Sequence, residues 1–397
     1  MIEVLKLDHL GRGIGKINNK IIFIPNTLPG EIVEVKITND KKNYCEGNVF
    51  KYLKVSDKRI ESNCPYYGKC GGCNLRHLSY SEQLDYKQKK VEDIIHKYTN
   101  LDIKINNIIG SKNVDNYRNK VTFHCDNTLG LYECQSKKII NVDKCLLADE
   151  KINNILKESQ KLELNTKEVI IKASTHETMI YYEGNIKGIE KLNVDTIINK
   201  DKIIKGKGYI AENLNNLKFI ISPTSFIQVN TKQTIKLYDK VKEMANLSKK
   251  DNLLDLYCGT GTIGLYLSDK CNQVLGVEIN SEAIKDANKN KLLNNIENAT
   301  FIAGDAKEVI KRTNFKPDVI VVDPPRSGLF KGMVDDIIKF NAKKIIYVSC
   351  DPITLARDLK ELNVKYNIKE IQPIDLFPNT HHVENVVLLE KNKKCCK

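Results

Sequence analysis

The sequence predicts a multidomain chain: an N-terminal OB-like β-barrel, an α+β middle domain and a C-terminal α/β domain of Rossmann-like, doubly wound type. Three observations predict it. At 397 residues the chain is too long for one ordinary domain, so the length points to two or three. Residues 1 to about 55 fall into short β-type runs punctuated by Pro25, Pro29 and Gly30. From residue 226 onward, apolar strands such as NLLDLY, QVLGVE, DVIVVD and KIIYVS alternate with helical stretches such as SEAIKDANKNKLLNN, which is the signature of a parallel sheet wound on both faces.

The elements follow in order. In region 1–55, Ile21, Phe23, Ile32, Val33, Val35 and Ile37 supply the strand residues of a small barrel. Its Gly11-Arg12-Gly13-Ile14-Gly15 run would let a loop backbone approach a partner, or simply turn. Region 56–225 mixes a cysteine cluster, a helix over SEQLDYKQKKVEDIIHKY (81–98) expected to pack on the C-terminal domain, and β-like segments such as EVIIKAS and TMIYYEG. Region 226–397 is the Rossmann-like domain. The final KNKKCCK is expected to fray, with Cys395 and Cys396 inert.

Composition excludes several classes. With 41% hydrophobic and 28% charged residues, 21 Gly and 10 Pro, the chain is neither disordered nor collagen-like. No stretch approaches a membrane span, and Glu3, Lys6 and Asp8 interrupt the first apolar positions, so a cytoplasmic protein without membrane or signal segment is expected. Twelve unevenly placed Cys suit metal or catalytic thiols in a reducing compartment better than a disulfide scaffold. The net charge of +13 favours a polyanionic partner, although 56 Lys against 7 Arg would also arise from a Lys-rich codon bias. The scarce Arg are the more informative, because a planar fork is hard to replace by Lys: Arg12, Arg118 and Arg326 all fall in motifs. Nothing signals a dimer interface, and a monomer is expected.

The strand NLLDLY runs into Cys258-Gly259-Thr260-Gly261-Thr262-Ile263-Gly264, with Glu278 ending the next strand. A Gly-x-Gly-x-x-Gly turn followed by an acid for ribose hydroxyls fits NAD and S-adenosylmethionine equally. Asp255 in the first strand and the motif Asp323-Pro324-Pro325-Arg326 favour S-adenosylmethionine. KIIYVS then delivers Ser349-Cys350-Asp351-Pro352 to the same sheet edge, and Glu384 lies in HHVENVVLL just before a final strand. Uracil C5 is a poor nucleophile, but thiolate addition at C6 makes C5 an enolate carbon able to attack a sulfonium methyl. A base must then take the C5 proton: Cys350 and Glu384 are the candidates for these roles.

Cys64, Cys70 and Cys73 gather three soft ligands around Gly71 and Gly72. His77 completes a Cys-x5-Cys-x2-Cys-x3-His string that zinc would also accept, so spacing leaves an iron–sulfur cluster and zinc both open.

Taken together, the N-terminal barrel, Cys64-x5-Cys70-Gly-Gly-Cys73, FIQVN (226–230), DLYCGTG, DPPR, Ser-Cys-Asp-Pro and HHVE resemble the RNA uracil-5-methyltransferase family over nearly the whole chain, specifically its 23S ribosomal RNA branch with a TRAM domain and an iron–sulfur cluster. The resemblance implies that Gln228, Tyr257, Glu278 and Asp323 bind S-adenosylmethionine, that Cys350 is the nucleophile and Glu384 the base. It implies that Asp305 approaches the adenine, and that Phe226 and Arg118 contact the target base or the RNA backbone. It implies a 4Fe-4S cluster, architectural in role, on Cys64, Cys70, Cys73 and Cys145, with Cys125 and Cys134 as ordinary thiols and zinc as the competing metal. The barrel and the basic surface would hold RNA while a uracil is flipped out. The alternatives are a tRNA uracil-5-methyltransferase, a branch expected to lack the barrel and cysteine cluster, and a non-catalytic RNA-binding iron–sulfur module. A cytosine-5-methyltransferase would show a Pro-Cys or Thr-Cys motif elsewhere, and neither motif occurs in this chain. An NAD-dependent oxidoreductase is the remaining enzyme reading.

Overall fold

A computed structural model of the chain describes residues 1–101 and 103–392; Cys395 and Cys396 lie outside the described residues. Three sheets carry the architecture, with a short hairpin beside them.

The first sheet has six strands in the order Ile2–Glu3, Ile32–Asp40, Tyr44–Lys54, Lys20–Ile24, Gly13–Ile17, Lys6–Leu7. Ile22, Ile24, Val33 and Cys45 fill its interior. The glycine run has an internal reason here. A Cβ on Gly15 would come within 2.4 Å of Ile2 Cγ2, and one on Gly13 within 2.0 Å of Thr27 Oγ1. The close approach these glycines permit is therefore internal, where the sheet curls on itself.

The middle sheet has seven strands in the order Lys202–Lys205, Thr196–Asn199, Thr178–Lys187, Glu163–Ala173, Lys120–Asp126, Thr128–Tyr132, Ile139–Asn141. The helix Glu150–Ser159, capped by Asp149, buries Ile152, Ile155 and Leu156 in the same core as Phe123, Ile171 and Ile180.

The third sheet runs Ala299–Ala303, Gln273–Glu278, Asn252–Leu256, Val319–Val322, Lys344–Ser349, Glu384–Lys391, Tyr366–Ile374. Its first five strands are parallel and its last two antiparallel. The chain builds outward from Asn252–Leu256 in one direction and then returns to its other side with Val319–Val322, so the strand order reverses between these two. Such a reversal opens a crevice at the carboxyl ends of the strands.

Two segments from the middle of the sequence join this C-terminal core. The helix Tyr80–Thr99 buries Val91 and Ile95 with Leu359 and Ile371. Residues 103–109 follow along the last strand through bridges Ile105 to Ile371 and Ile109 to Ile374. The hairpin of Ile210–Leu214 and Leu217–Ile221 leans on the helix Ser281–Leu293, with Ile220 N–H donating to Asn290 Oδ1 at 2.7 Å. Region 56–225 is thus shared in space between two cores. Among the described residues no helix is long and apolar enough to cross a membrane.

Candidate active site

At the switch point a cavity of about 620 Å³ opens, and its wall gathers Phe226, Gln228, Tyr257, Gly259, Glu278, Asp305, Asp323, Cys350 and Glu384, with Arg118 at the border. Residues far apart in the chain meet here because Tyr257, Asp323 and Cys350 each follow the end of a parallel strand, while Glu278 ends one and Glu384 begins the adjoining antiparallel strand.

The donor side of the cavity is built by the strand-to-helix turn. Buried Asp255 accepts from Gly264 N–H at 2.9 Å and ties the following helix, Thr262–Leu267, to its strand. Gly261 has φ +77°, and a Cβ there would meet the Phe301 ring at 2.8 Å. Tyr257 itself has φ +62°, an uncommon conformation for a bulky residue that places its side chain on the cavity wall. Glu278 accepts from Gly259 N–H at 3.2 Å and Asn280 N–H at 2.9 Å. Two observations fit a nucleoside-bearing donor: the buried Tyr257 hydroxyl has no partner, and a Cβ on Gly259 would meet nothing within 4 Å. Asp305 caps the helix Ala306–Arg312 at the rim. Asn119 fixes the opposite wall, donating from Nδ2 to the Gln228 carbonyl at 3.1 Å and from its backbone to the Val229 carbonyl at 2.9 Å.

The reacting side holds Cys350, Glu384, Asp323 and Arg326. Burial pushes Glu384 up to about 8, helped by the Asp323 charge and opposed by Arg326. Burial also raises Asp323 to about 7. The Cys350 thiol is pushed up to about 12 by burial and by Glu384, with Arg326 pulling the other way. Arg326 donates to His382 Nε2 at 3.3 Å. Burial, then His381 and Arg326, push His382 down to about 2, so its ring is neutral and Nε2 accepts.

A second cavity, of about 370 Å³, is lined by Cys64, Cys70, Cys73 and Cys145 together. Burial raises Cys73 to about 12, with Arg76 opposing. Cys125 and Cys134 do not line it. The zinc string through His77 is not assembled: His77 is buried elsewhere, its Nδ1 paired with the Tyr67 hydroxyl. Among the described residues no group of three or more His, Cys, Asp or Glu is arranged to hold a metal ion. Four thiols lining one cavity are the donor chemistry of a soft-metal site. Arg118 borders both cavities.

Sequence reasoning missed Phe330 and Phe377 on the wall of the larger cavity. Phe330 is 61% exposed yet lies 6.3 Å from the Tyr257 ring, centroid to centroid. Its place four residues after Arg326, in the loop beyond a strand end, was the available signal.

Residues 185–392 match the family model described as tRNA (Uracil-5-)-methyltransferase, and residues 1–50 match the TRAM domain. The chain is 37% identical to an uncharacterized RNA methyltransferase of Clostridium tetani, over 96% of this chain and 93% of the relative. It is 35% identical to an uncharacterized RNA methyltransferase of Bacteroides thetaiotaomicron, over 96% and 99%. The crystal structure of Pyrococcus abyssi tRNA (uracil-54, C5)-methyltransferase in complex with S-adenosyl-L-homocysteine has a TM-score of 0.79 and 29% identity, covering 98% of this chain and 100% of that one. This overturns one expectation. A tRNA enzyme matches this chain over nearly its whole length, so the barrel does not separate the ribosomal from the tRNA branch. The matched C-terminal half, the TRAM domain and the full-length RNA methyltransferase relatives establish that the chain belongs to the S-adenosylmethionine-dependent RNA uracil-5-methyltransferase family.

Proposed function

We propose that the chain methylates uracil C5 in 23S ribosomal RNA, giving 5-methyluridine, with Cys350 as nucleophile and Glu384 as base. The observation that carries the reading is the single cavity shared by Cys350, Glu384 and the donor-side residues Gln228, Tyr257, Glu278 and Asp323. S-adenosylmethionine supplies an electrophilic methyl group on a cationic sulfur. Once its proton has left, the Cys350 thiolate adds to C6, forming a C–S bond and an enolate whose C5 takes the methyl as the sulfonium S–CH3 bond breaks to a neutral thioether. Glu384 takes the C5 proton, the C–S bond breaks, and the thiolate is released. Arg326 favours the anionic forms of both residues.

Cys64, Cys70, Cys73 and Cys145 would hold a 4Fe-4S cluster of architectural role, because methyl transfer consumes no electron. The barrel and basic surface hold the RNA, and the protein works in the cytoplasm as a monomer. The four-cysteine cavity, and not the barrel, is the feature that favours ribosomal RNA as substrate. The likeness to the P. abyssi enzyme favours a second reading, tRNA.

The test is transfer of labelled methyl to unmodified 23S rRNA and tRNA transcripts, mapped by mass. Label at uridine C5 in 23S rRNA, absent with Cys350→Ala, is expected. Label in tRNA alone would move the substrate to the second reading while leaving the chemistry standing.

A further inference from the structure

The turn that precedes Glu384 is held almost atom by atom from outside itself. Six backbone carbonyls between Asp375 and His381 each accept a hydrogen bond from another part of the chain. Gln233 Nε2 reaches Asp375 O at 2.9 Å, and Asn230 Nδ2 reaches Leu376 O at 3.0 Å. Lys87 Nζ reaches Phe377 O at 3.0 Å, and the Tyr117 hydroxyl reaches Pro378 O at 3.0 Å. The N–H groups of Asn74 and Leu75 reach Asn379 O at 3.0 and 3.1 Å, and Lys90 Nζ reaches His381 O at 2.8 Å. The turn supplies Phe377 and His382 to the cavity and ends at Glu384.

The helix Tyr80–Thr99 provides the central clamp. Tyr80, Gln83, Lys87 and Lys90 follow a spacing of three and four residues and so share one face. On an ordinary packed helix such a stripe is apolar. Here Lys87 and Asp375 are both fully buried and paired at 2.7 Å, and the Tyr80 hydroxyl donates to the second Asp375 oxygen at 2.9 Å. Gln83 donates to Asn379 Oδ1 at 3.1 Å and accepts from Asn379 N–H at 2.8 Å. A buried ion pair adds little stability over an apolar pair of the same shape; here the two helix side chains hold one Asp375 carboxylate oxygen each.

We infer that Lys87 and Lys90 are positioning residues, which hold the 375–383 turn so that Glu384 meets the C5 proton of the methylated base. The inference rests on the proposed role of Glu384. Proton removal is the step most sensitive to its placement, so loosening the turn slows breakdown of the covalent intermediate more than its formation.

The test compares wild type, Lys87→Met/Asp375→Asn, Lys90→Met and Glu384→Gln. The double variant removes both buried charges while Asn keeps an acceptor for Tyr80. Lys90→Met removes only one contact at the edge of the clamp and guards against failure of the double variant to fold. Melting temperature, kcat, KM for donor and RNA, and the fraction of enzyme covalently attached to RNA are measured. The double variant is expected to lose about tenfold or more in kcat, with KM for the donor unchanged and a raised adduct fraction. Lys90→Met moves both in the same direction by less. Wild-type kcat in a folded variant, or a loss that merely follows the folded fraction without more adduct, overturns the inference. Absence of adduct in Glu384→Gln would instead remove the base assignment on which it rests.

Discussion

At the scale of single residues, burial decides the chemistry. Glu384 is pushed up to about 8, so below that pH it is protonated and cannot accept the C5 proton. Where proton removal limits turnover, kcat should fall about tenfold per unit as pH drops below about 8; a flat profile across neutral pH would exclude Glu384 as the titrating base. The same shift acts on stability. A carboxyl whose pKa rises on folding binds its proton more tightly in the folded state, so its contribution declines as pH rises from the unfolded value through about 8. Glu384→Gln should therefore melt above wild type at alkaline pH, beyond that window, and lose the advantage in acid, below the unfolded value, while being inactive at both. Equal melting temperatures on the alkaline side would contradict the burial argument. Cys350, Asp323 and Glu384 were legible in the sequence because each stands in a short motif at a strand end, where side chains must face the crevice. Lys87 was not, because one buried Lys among 56 carries no mark in the sequence.

At the scale of elements, the strand-to-helix turn separates binding from folding. Gly259 has φ +54°, so Ala there costs on the order of 1 kcal/mol of strain, but its Cβ would meet no protein atom. Gly259→Ala should thus fold and melt only slightly lower, yet bind S-adenosylmethionine at least several-fold more weakly; unchanged affinity by calorimetry would place the donor elsewhere. Gly264→Ala should behave oppositely and lose stability, since its Cβ would lie 2.9 Å from Asp255 Oδ2. The alternating strands and helices after residue 226 made this element legible. The helix Tyr80–Thr99 was legible as a helix, but its polar stripe was not, because its partners lie about 290 residues away. His77 misled by spacing alone: it satisfies a zinc string in sequence and turns to Tyr67 in space.

At the scale of the whole molecule, charge and covalent chemistry meet on RNA. If the +13 net charge serves binding, the logarithm of RNA affinity should fall steeply and linearly with the logarithm of salt concentration. A flat response would leave the excess Lys to codon bias. The most direct measurement of the central claim is the denaturing-gel mobility and intact mass of Glu384→Gln incubated with 23S rRNA transcript and S-adenosylmethionine, beside the same protein carrying Cys350→Ala. A stable protein–RNA adduct with one added methyl group is expected, lost entirely with Cys350→Ala. An adduct that survives Cys350→Ala, or full methylation by Glu384→Gln with no adduct, would contradict that claim.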